Sequence, residues 1–224
     1  MRGRFITLEG PEGAGKTVIA KRLVAELERG GREVVSTREP GGTRLGERIR
    51  SILLSRAGDE GEPPIDPRAD ALLFNAARAQ LVSEVIRPAL ERGAIVLCAR
   101  FTDSTLAYQG YGAGLPIEEL RALAALAIGG LDPDLTVLLD VPPAIGLGRK
   151  TGASRNRFEA FFDLAFHERV RAGFLALAGA EPARFRVVDS ARPIDVVAAE
   201  VIAVVLALVW REPPRARPGS APGP

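Results

Sequence analysis

The stretch GPEGAGKT, residues 10 to 17, combines three glycines, a lysine and a threonine in an order suited to gripping phosphate. Gly10, Gly13 and Gly15 let the backbone turn its amides inward, and a helix starting at the end of the stretch adds a favourable field. Lys16 can reach the outer phosphates, and the Thr17 hydroxyl can ligate Mg2+, partly through water. This is the Walker A spacing, so Gly10, Pro11, Glu12, Gly13, Ala14, Gly15, Lys16 and Thr17 are read as a nucleoside triphosphate cradle. Glu12 repels phosphate, which points its carboxylate at a second substrate. Ala14 offers the transferring phosphate no side chain, so further catalytic cations must come from elsewhere. The segment RKTGASRNR, residues 149 to 157, carries Arg149, Lys150, Arg155 and Arg157 on a Gly- and Ser-containing stretch, as a lid over phosphates requires. A solvated run of charge is the competing reading.

A second cluster ends the run VLCAR, where a phosphate-handling enzyme would carry an acid and this chain has Ala99 before Arg100. Asp140, closing TVLLD, has the pattern of a metal-side acid, with a strand-end capping role as the rival reading. The one histidine, His167, lies in a helical pattern beside Glu168 and Arg169 and reads as structural. The one cysteine, Cys98, lies in an apolar run and reads as core; a single cysteine excludes an internal disulfide and a multi-cysteine zinc site.

These residues need elements to hold them. Short β-rich runs alternate with longer helical patterns, which predicts an α/β fold with a parallel sheet. Strands are expected at about 4–9, 33–37, 94–98, 135–140 and 185–189, and helices at about 15–29, 43–56, 67–92, 116–129, 142–150, 157–179 and 194–210. The chemically suggestive residues then fall at the carboxyl ends of strands, where open parallel sheets bind ligands. The 224 residues suit one domain, taken as 1–210, with a lid at about 149–157 and a disordered Pro/Gly/Arg tail at 211–224. A loop is expected over AGDEGEPPIDP, residues 57 to 67. The near-balanced charge, formally +2, gives no basic patch for nucleic acid. The longest apolar stretch, VIAVVLALVW, is too short to span a membrane, and no leader segment is evident, so the expected setting is cytoplasmic.

Four further segments, TREPGGTRLGERIR (37–50), LLFNAARAQ (72–80), RFTDSTLAYQGYGAGLP (100–116) and RNRFEAFFDLAFHERVRAGFLALA (155–178), follow the phosphate cradle in a recognisable order. With them the chain resembles the bacterial thymidylate kinases over about residues 4 to 205. The resemblance implies a P-loop kinase fold, with a five-stranded parallel sheet flanked by helices on both faces and a mobile lid. It also implies ATP-dependent conversion of dTMP to dTDP, Mg2+ as cofactor and a homodimer. Phe74 would stack on thymine, Arg78 and Gln109 would hydrogen-bond the base region, Arg38 and Arg100 would hold the dTMP phosphate. Glu12 would meet the sugar 3′-hydroxyl, Tyr108 would pack near the sugar, and Glu39-Pro40 would be a cis bond shaping that pocket. Lys16, Arg100, Arg155 and Arg157 would be catalytic, and Arg149 would join the ATP site. The residue types suit these roles: a planar apolar ring fits a base, and forked guanidiniums fit a phosphate dianion. For Phe74 and Tyr108, simple core packing is the rival reading.

The chain departs from that family's pattern at one site. Ala99-Arg100 stands where Asp-Arg is usual, Phe101 where tyrosine is usual, Asn156 where an aspartate precedes the lid arginine, and Ala113 where a related loop carries arginine. Losing one outer metal partner costs about 10- to 100-fold, so the expectation is a slowed or metal-hungry kinase that still binds its substrates. The alternatives are an impaired nucleotide-binding relative and a kinase for another deoxynucleoside monophosphate.

Overall fold

The apolar runs pair edge to edge in one parallel sheet, ordered β2-β3-β1-β4-β5, in a computed structural model described over residues 2–54, 65–149, 158 and 162–210. The strands are β1 (Phe5–Glu9), β2 (Val34–Arg38), β3 (Ile95–Ala99), β4 (Leu135–Asp140) and β5 (Phe185–Asp189). Each lies within one residue of its expected bounds. Every residue of β1 is buried, as a central parallel strand with both faces covered must be. Strand β1 pairs with β3 on one side, Leu8 opposite Ala99, and with β4 on the other, Glu9 opposite Leu138. That reversal of order beside β1 opens a crevice at the carboxyl ends of the strands.

Helices cover both faces. Helix α1 (Lys16–Arg29) buries Ile19, Leu23 and Leu27, four residues apart, and α9 (Ile194–Val209) buries Val197, Val201 and Val205 in the same rhythm. Both stripes join the Ile6, Leu8 and Val137 side of the sheet. Each such side chain contributes about 1.5–3 kcal/mol relative to exposure. The opposite face carries α3 (Pro67–Leu81), α6 (Ile117–Ile128) and α8 (Leu164–Ala180); there Phe5, Val96 and Cys98 form one apolar cluster, and Tyr108, Leu138 and Phe174 another. Helix α2 (Arg44–Leu54) packs Ile49 and Leu53 against Ala77 of α3. Asp66 caps α3 by accepting from the Arg68 amide at 2.9 Å, with Pro67 in the first turn.

Three segments differ from the sequence expectation. The helix expected over 67–92 passes from α3 through a wider π-helical stretch, Val82–Ile86, into α4 (Arg87–Glu91). Pro88 lacks the amide an unbroken α-helix would need, and the widened turn supplies a register without it. A helix not expected at all, α5 (Thr102–Thr105), runs into a second π-helical stretch, Leu106–Gly112. Its Thr, Ser and Gly content carries little helix propensity, and burial against α8 decides its form. The helix expected over 157–179 is interrupted at Phe162 and Asp163: Phe158 is helical, 157 and 159–161 lie outside the described residues, and α8 starts at Leu164, where Asp163 is extended and accepts from the Phe166 amide at 2.8 Å as its N-cap. A short α7 (Pro143–Gly148) completes the set. The loop expected over 57–67 lies outside the described residues as far as 64, and the 211–224 tail lies outside them entirely. Among the described residues no helix is long and apolar enough to cross a membrane.

Candidate active site

The phosphate cradle owes its shape to three glycines. Gly10, Gly13 and Gly15 hold φ of 136°, 71° and 86°, a region that side chains disfavour. The loop is also packed backbone to backbone against α7: a Cβ on Gly13 would stand 1.9 Å from the Gly146 carbonyl oxygen. Lys16 Nζ donates to the Gly10 and Pro11 carbonyls at 2.7 and 2.8 Å, which holds the ammonium over the loop. Arg149 reaches back from the end of α7, its Nη1 donating to the Gly13 and Ser190 carbonyls at 3.3 and 2.9 Å.

The floor of the site is built where β1 meets β3. Arg100 follows β3 with its amide donating to the Leu8 carbonyl at 2.9 Å, and its φ is 71°. Among the described residues it is the one non-glycine in the left-handed region. That conformation costs roughly 1–2 kcal/mol, and such strain gathers at functional sites. It aims the guanidinium inward: Nη2 donates to Glu12 Oε1 at 2.9 Å and to the Tyr108 hydroxyl oxygen at 3.1 Å, and Nη1 to Ser104 Oγ at 3.2 Å. Tyr108 in turn donates to the other Glu12 oxygen. Burial alone would raise the Glu12 carboxyl, but Arg100 and Lys16 hold it below its ordinary value. Burial raises the Tyr108 phenol, which keeps it a donor.

Beneath this layer, Glu9 accepts from the Phe101 amide at 2.7 Å and the Ser104 hydroxyl at 2.6 Å. Burial, then the nearby Asp103 charge, raise its carboxyl. Asp103 is itself tied to Arg184 at 2.7 Å. Phe101 is fully buried with its ring edge-on to Phe5, so the hydroxyl it lacks would have entered an apolar cluster.

The two groups of residues open onto one cleft of about 810 Å3. Glu12, Gly13, Ala14, Gly15, Lys16, Thr17 and Arg149 line it from the cradle side. Arg38, Pro40, Phe74, Arg100, Tyr108 and Gln109 line it from the other. The Glu39-Pro40 bond is cis. Arg38 pairs with Glu47 at 3.0 Å, half exposed, and Gln109 Nε2 donates to Asp70 Oδ2 at 3.4 Å. Gly10 and Pro11 lie just behind the lining, and Arg78 is not part of it. Only 1 % exposed, Arg78 donates Nε to Glu39 Oε2 at 2.9 Å, Nη1 to Asn75 at 2.8 Å, and Nη2 to the Phe101 carbonyl and the Thr105 hydroxyl. Arg155, Asn156 and Arg157 lie outside the described residues.

Several lining residues had no site role in the sequence reading, Arg50, Glu39 and Phe158 among them. Arg50 donates to the Pro40 carbonyl at 2.8 Å, and burial together with the Arg38 charge lowers its affinity for its proton. Helical spacing held the clue, since Arg50 sits one turn after Gly46 on the buried side of α2. Glu39, buried beside Arg78 at 2.8 Å, leaves Oε1 without a hydrogen-bond partner, and burial raises its carboxyl to about 7. Phe158 gave no signal of its own in the sequence, being one of four phenylalanines in RFEAFFDLAF.

Asp140 is spent elsewhere: Arg171 grips it with two bonds, at 2.7 and 2.8 Å. His167 is 1 % exposed and bonded to a carbonyl, as a structural reading expects. Cys98 is buried in the core. Among the described residues, no three acids, histidines or cysteines gather to hold a metal. Thr17 is the oxygen donor on the cradle side, while the carboxylates of Glu12 and Glu39 that face the cleft are paired with arginines. That donor set fits a hard cation that keeps its waters and arrives on substrate phosphates.

The thymidylate kinase family model matches residues 8–201. The chain is 55 % identical over 205 residues to a thymidylate kinase of Deinococcus radiodurans, covering 91 % of this chain and 97 % of the relative. It is 54 % identical to one from Solidesulfovibrio magneticus, covering 90 % and 98 %, and 50 % identical to one from Geobacter sulfurreducens, covering 93 % and 99 %.

Proposed function

The chain belongs to the thymidylate kinase family, and on that premise we propose how its cleft divides the labour of phosphorylating dTMP with ATP. The observation that carries the reading is a single cleft lined on one side by the triphosphate cradle and on the other by arginines and aromatic rings. An oxygen of the dTMP phosphate attacks the γ-phosphorus of ATP; the new P–O bond yields dTDP, and the bond to the ADP oxygen breaks. Catalysis of this kind is positioning plus charge stabilisation.

In that scheme Gly13, Gly15 and Lys16 hold the ATP phosphates, with Gly10, Pro11 and Ala14 shaping the loop and Arg149 bracing its far side. Arg38, Arg50 and Arg100 hold the acceptor phosphate, Glu12 takes the sugar hydroxyl, and Phe74 and Gln109 meet the base. Arg78 acts from behind the wall, through Glu39 and Thr105, which both line the cleft. Arg155 and Arg157 of the 149–157 lid supply charge to the transferring phosphoryl group. The reaction takes a divalent cation, here Mg2+, which would neutralise developing charge on the phosphates and be held by Thr17. Ala99 lines the cleft and brings no carboxylate to that side, which supports a slowed transfer step. A homodimer on the α2, α3 and α6 side and one folded domain over 1–210 complete the reading.

Release of ADP with dTMP, dUMP, dCMP and dGMP as acceptors tests it. Turnover should be greatest with dTMP; no turnover with dTMP at any Mg2+ concentration would sink it.

A further inference from the structure

His167 is an expensive way to fill a core position, because an imidazole brings polar atoms that must be satisfied. Its Nε2 lies 3.1 Å from the Phe158 carbonyl oxygen. A carbonyl cannot donate, so Nε2 carries the hydrogen and spends it on that one backbone atom. The Phe158 ring is held as well. It stacks on Phe162 at 5.5 Å, Phe162 stacks on Phe166 at 4.1 Å, and Phe166 stands edge-on to His167 at 5.5 Å. Both backbone and ring of Phe158 are thus tied to the first turn of α8.

The held ring faces the cleft. Phe158 is edge-on to Tyr108 at 5.5 Å and tilted to Phe74 at 6.2 Å, and all three line the same space. Glu12, Arg38, Arg50 and Arg100 put charge on the adjoining lining, so this corner of three rings suits the uncharged part of a nucleotide. A ring between Phe74 and Phe158 would need two contacts of ~3.5 Å each, more than their separation allows. Phe158 therefore bounds the slot from the side rather than closing a sandwich.

We propose that Phe158 is a wall of the acceptor's nucleoside slot and that His167 is its positioning residue, an inference that rests on the dTMP kinase reading. Steady-state kinetics of the full chain test it with His167→Leu, His167→Gln, Phe158→Leu and the double variant of the two leucine changes. Each leucine change should raise KM for dTMP about 3- to 10-fold, His167→Leu through one lost hydrogen bond to the Phe158 carbonyl and Phe158→Leu through lost ring packing, and leave KM for ATP unmoved. The double variant should be no worse than the worse single, because the two residues act as one unit. His167→Gln, whose amide can still donate to the carbonyl, should restore the wild-type KM. The proposal is overturned if Phe158→Leu leaves KM for dTMP unchanged, if glutamine rescues nothing, or if both KM values rise together. A wild-type chain inert toward dTMP takes down the kinase reading and this inference with it; an active one with unmoved KM overturns this inference alone.

Discussion

Arg100 holds an uncommon backbone conformation, and its guanidinium meets Glu12, Tyr108 and Ser104 while Ala99 beside it offers the cleft only a methyl group. Recognition of the acceptor and support of the metal are thereby separable one residue apart. Ala99→Asp should raise kcat by about 10- to 100-fold and lower the Mg2+ requirement, with KM for dTMP unchanged. A Mg2+ titration of both chains reads this, and equal rates at every concentration would refute it. Glu39 makes a second residue-level prediction. Burial raises its carboxyl from an ordinary 4.5 to about 7 despite Arg78, so the folded chain binds this proton more tightly than the unfolded one. Its contribution to stability is full below about 4.5 and declines as pH rises to about 7. In Glu39→Gln that decline should vanish, making the stability curve flatter over this window in denaturant melts at several pH values. An identical slope in both chains would contradict it.

At the scale of elements, the phosphate loop depends on α7 as much as on its own glycines. The two backbones touch, since a Cβ on Gly146 would stand 2.2 Å from the Glu12 carbonyl oxygen. Gly146→Ala should therefore push the loop off its seat, weaken ATP binding measured by titration, and cost about 1–3 kcal/mol of stability. A variant with wild-type ATP affinity and melting temperature would show that α7 merely lies nearby. Helix α8 has a comparable double attachment. Arg171 joins it to the end of β4 through Asp140, and His167 joins it to Phe158, so it braces both a strand end and a cleft wall.

For the whole molecule, the apolar side chains left exposed on α2, α3 and α6 deserve an occupant. Leu45 on α2, Leu72 on α3 and Leu126 on α6 are 45 %, 57 % and 83 % exposed. Exposed apolar residues gathered on neighbouring helices mark interaction sites, and a second copy of the chain is the proposed occupant. Leu126→Glu should shift sedimentation from dimer to monomer with the helical circular dichroism intact. Unchanged sedimentation would move the dimer contact elsewhere or abolish the proposal.

The strands and the phosphate cradle were legible in the residues because their causes are local. Parallel strands buried on both faces need continuous apolar runs, and a loop with positive φ needs glycine at fixed places. The helix over Thr102–Gly112 was not legible, since its residues have weak intrinsic preference and take their form from burial. Arg78 differs for a related reason: its residue type announces charge, but only the folded chain decides that Glu39, Asn75, Phe101 and Thr105 surround it and set it behind the cleft wall. Sequence alone determined the triphosphate cradle and the order of the sheet-forming runs. Tertiary structure alone decided that Glu12, 88 residues before Arg100, joins Arg100 and Tyr108 in one hydrogen-bonded cluster, because only pairing β1 with β3 brings their carboxyl ends together.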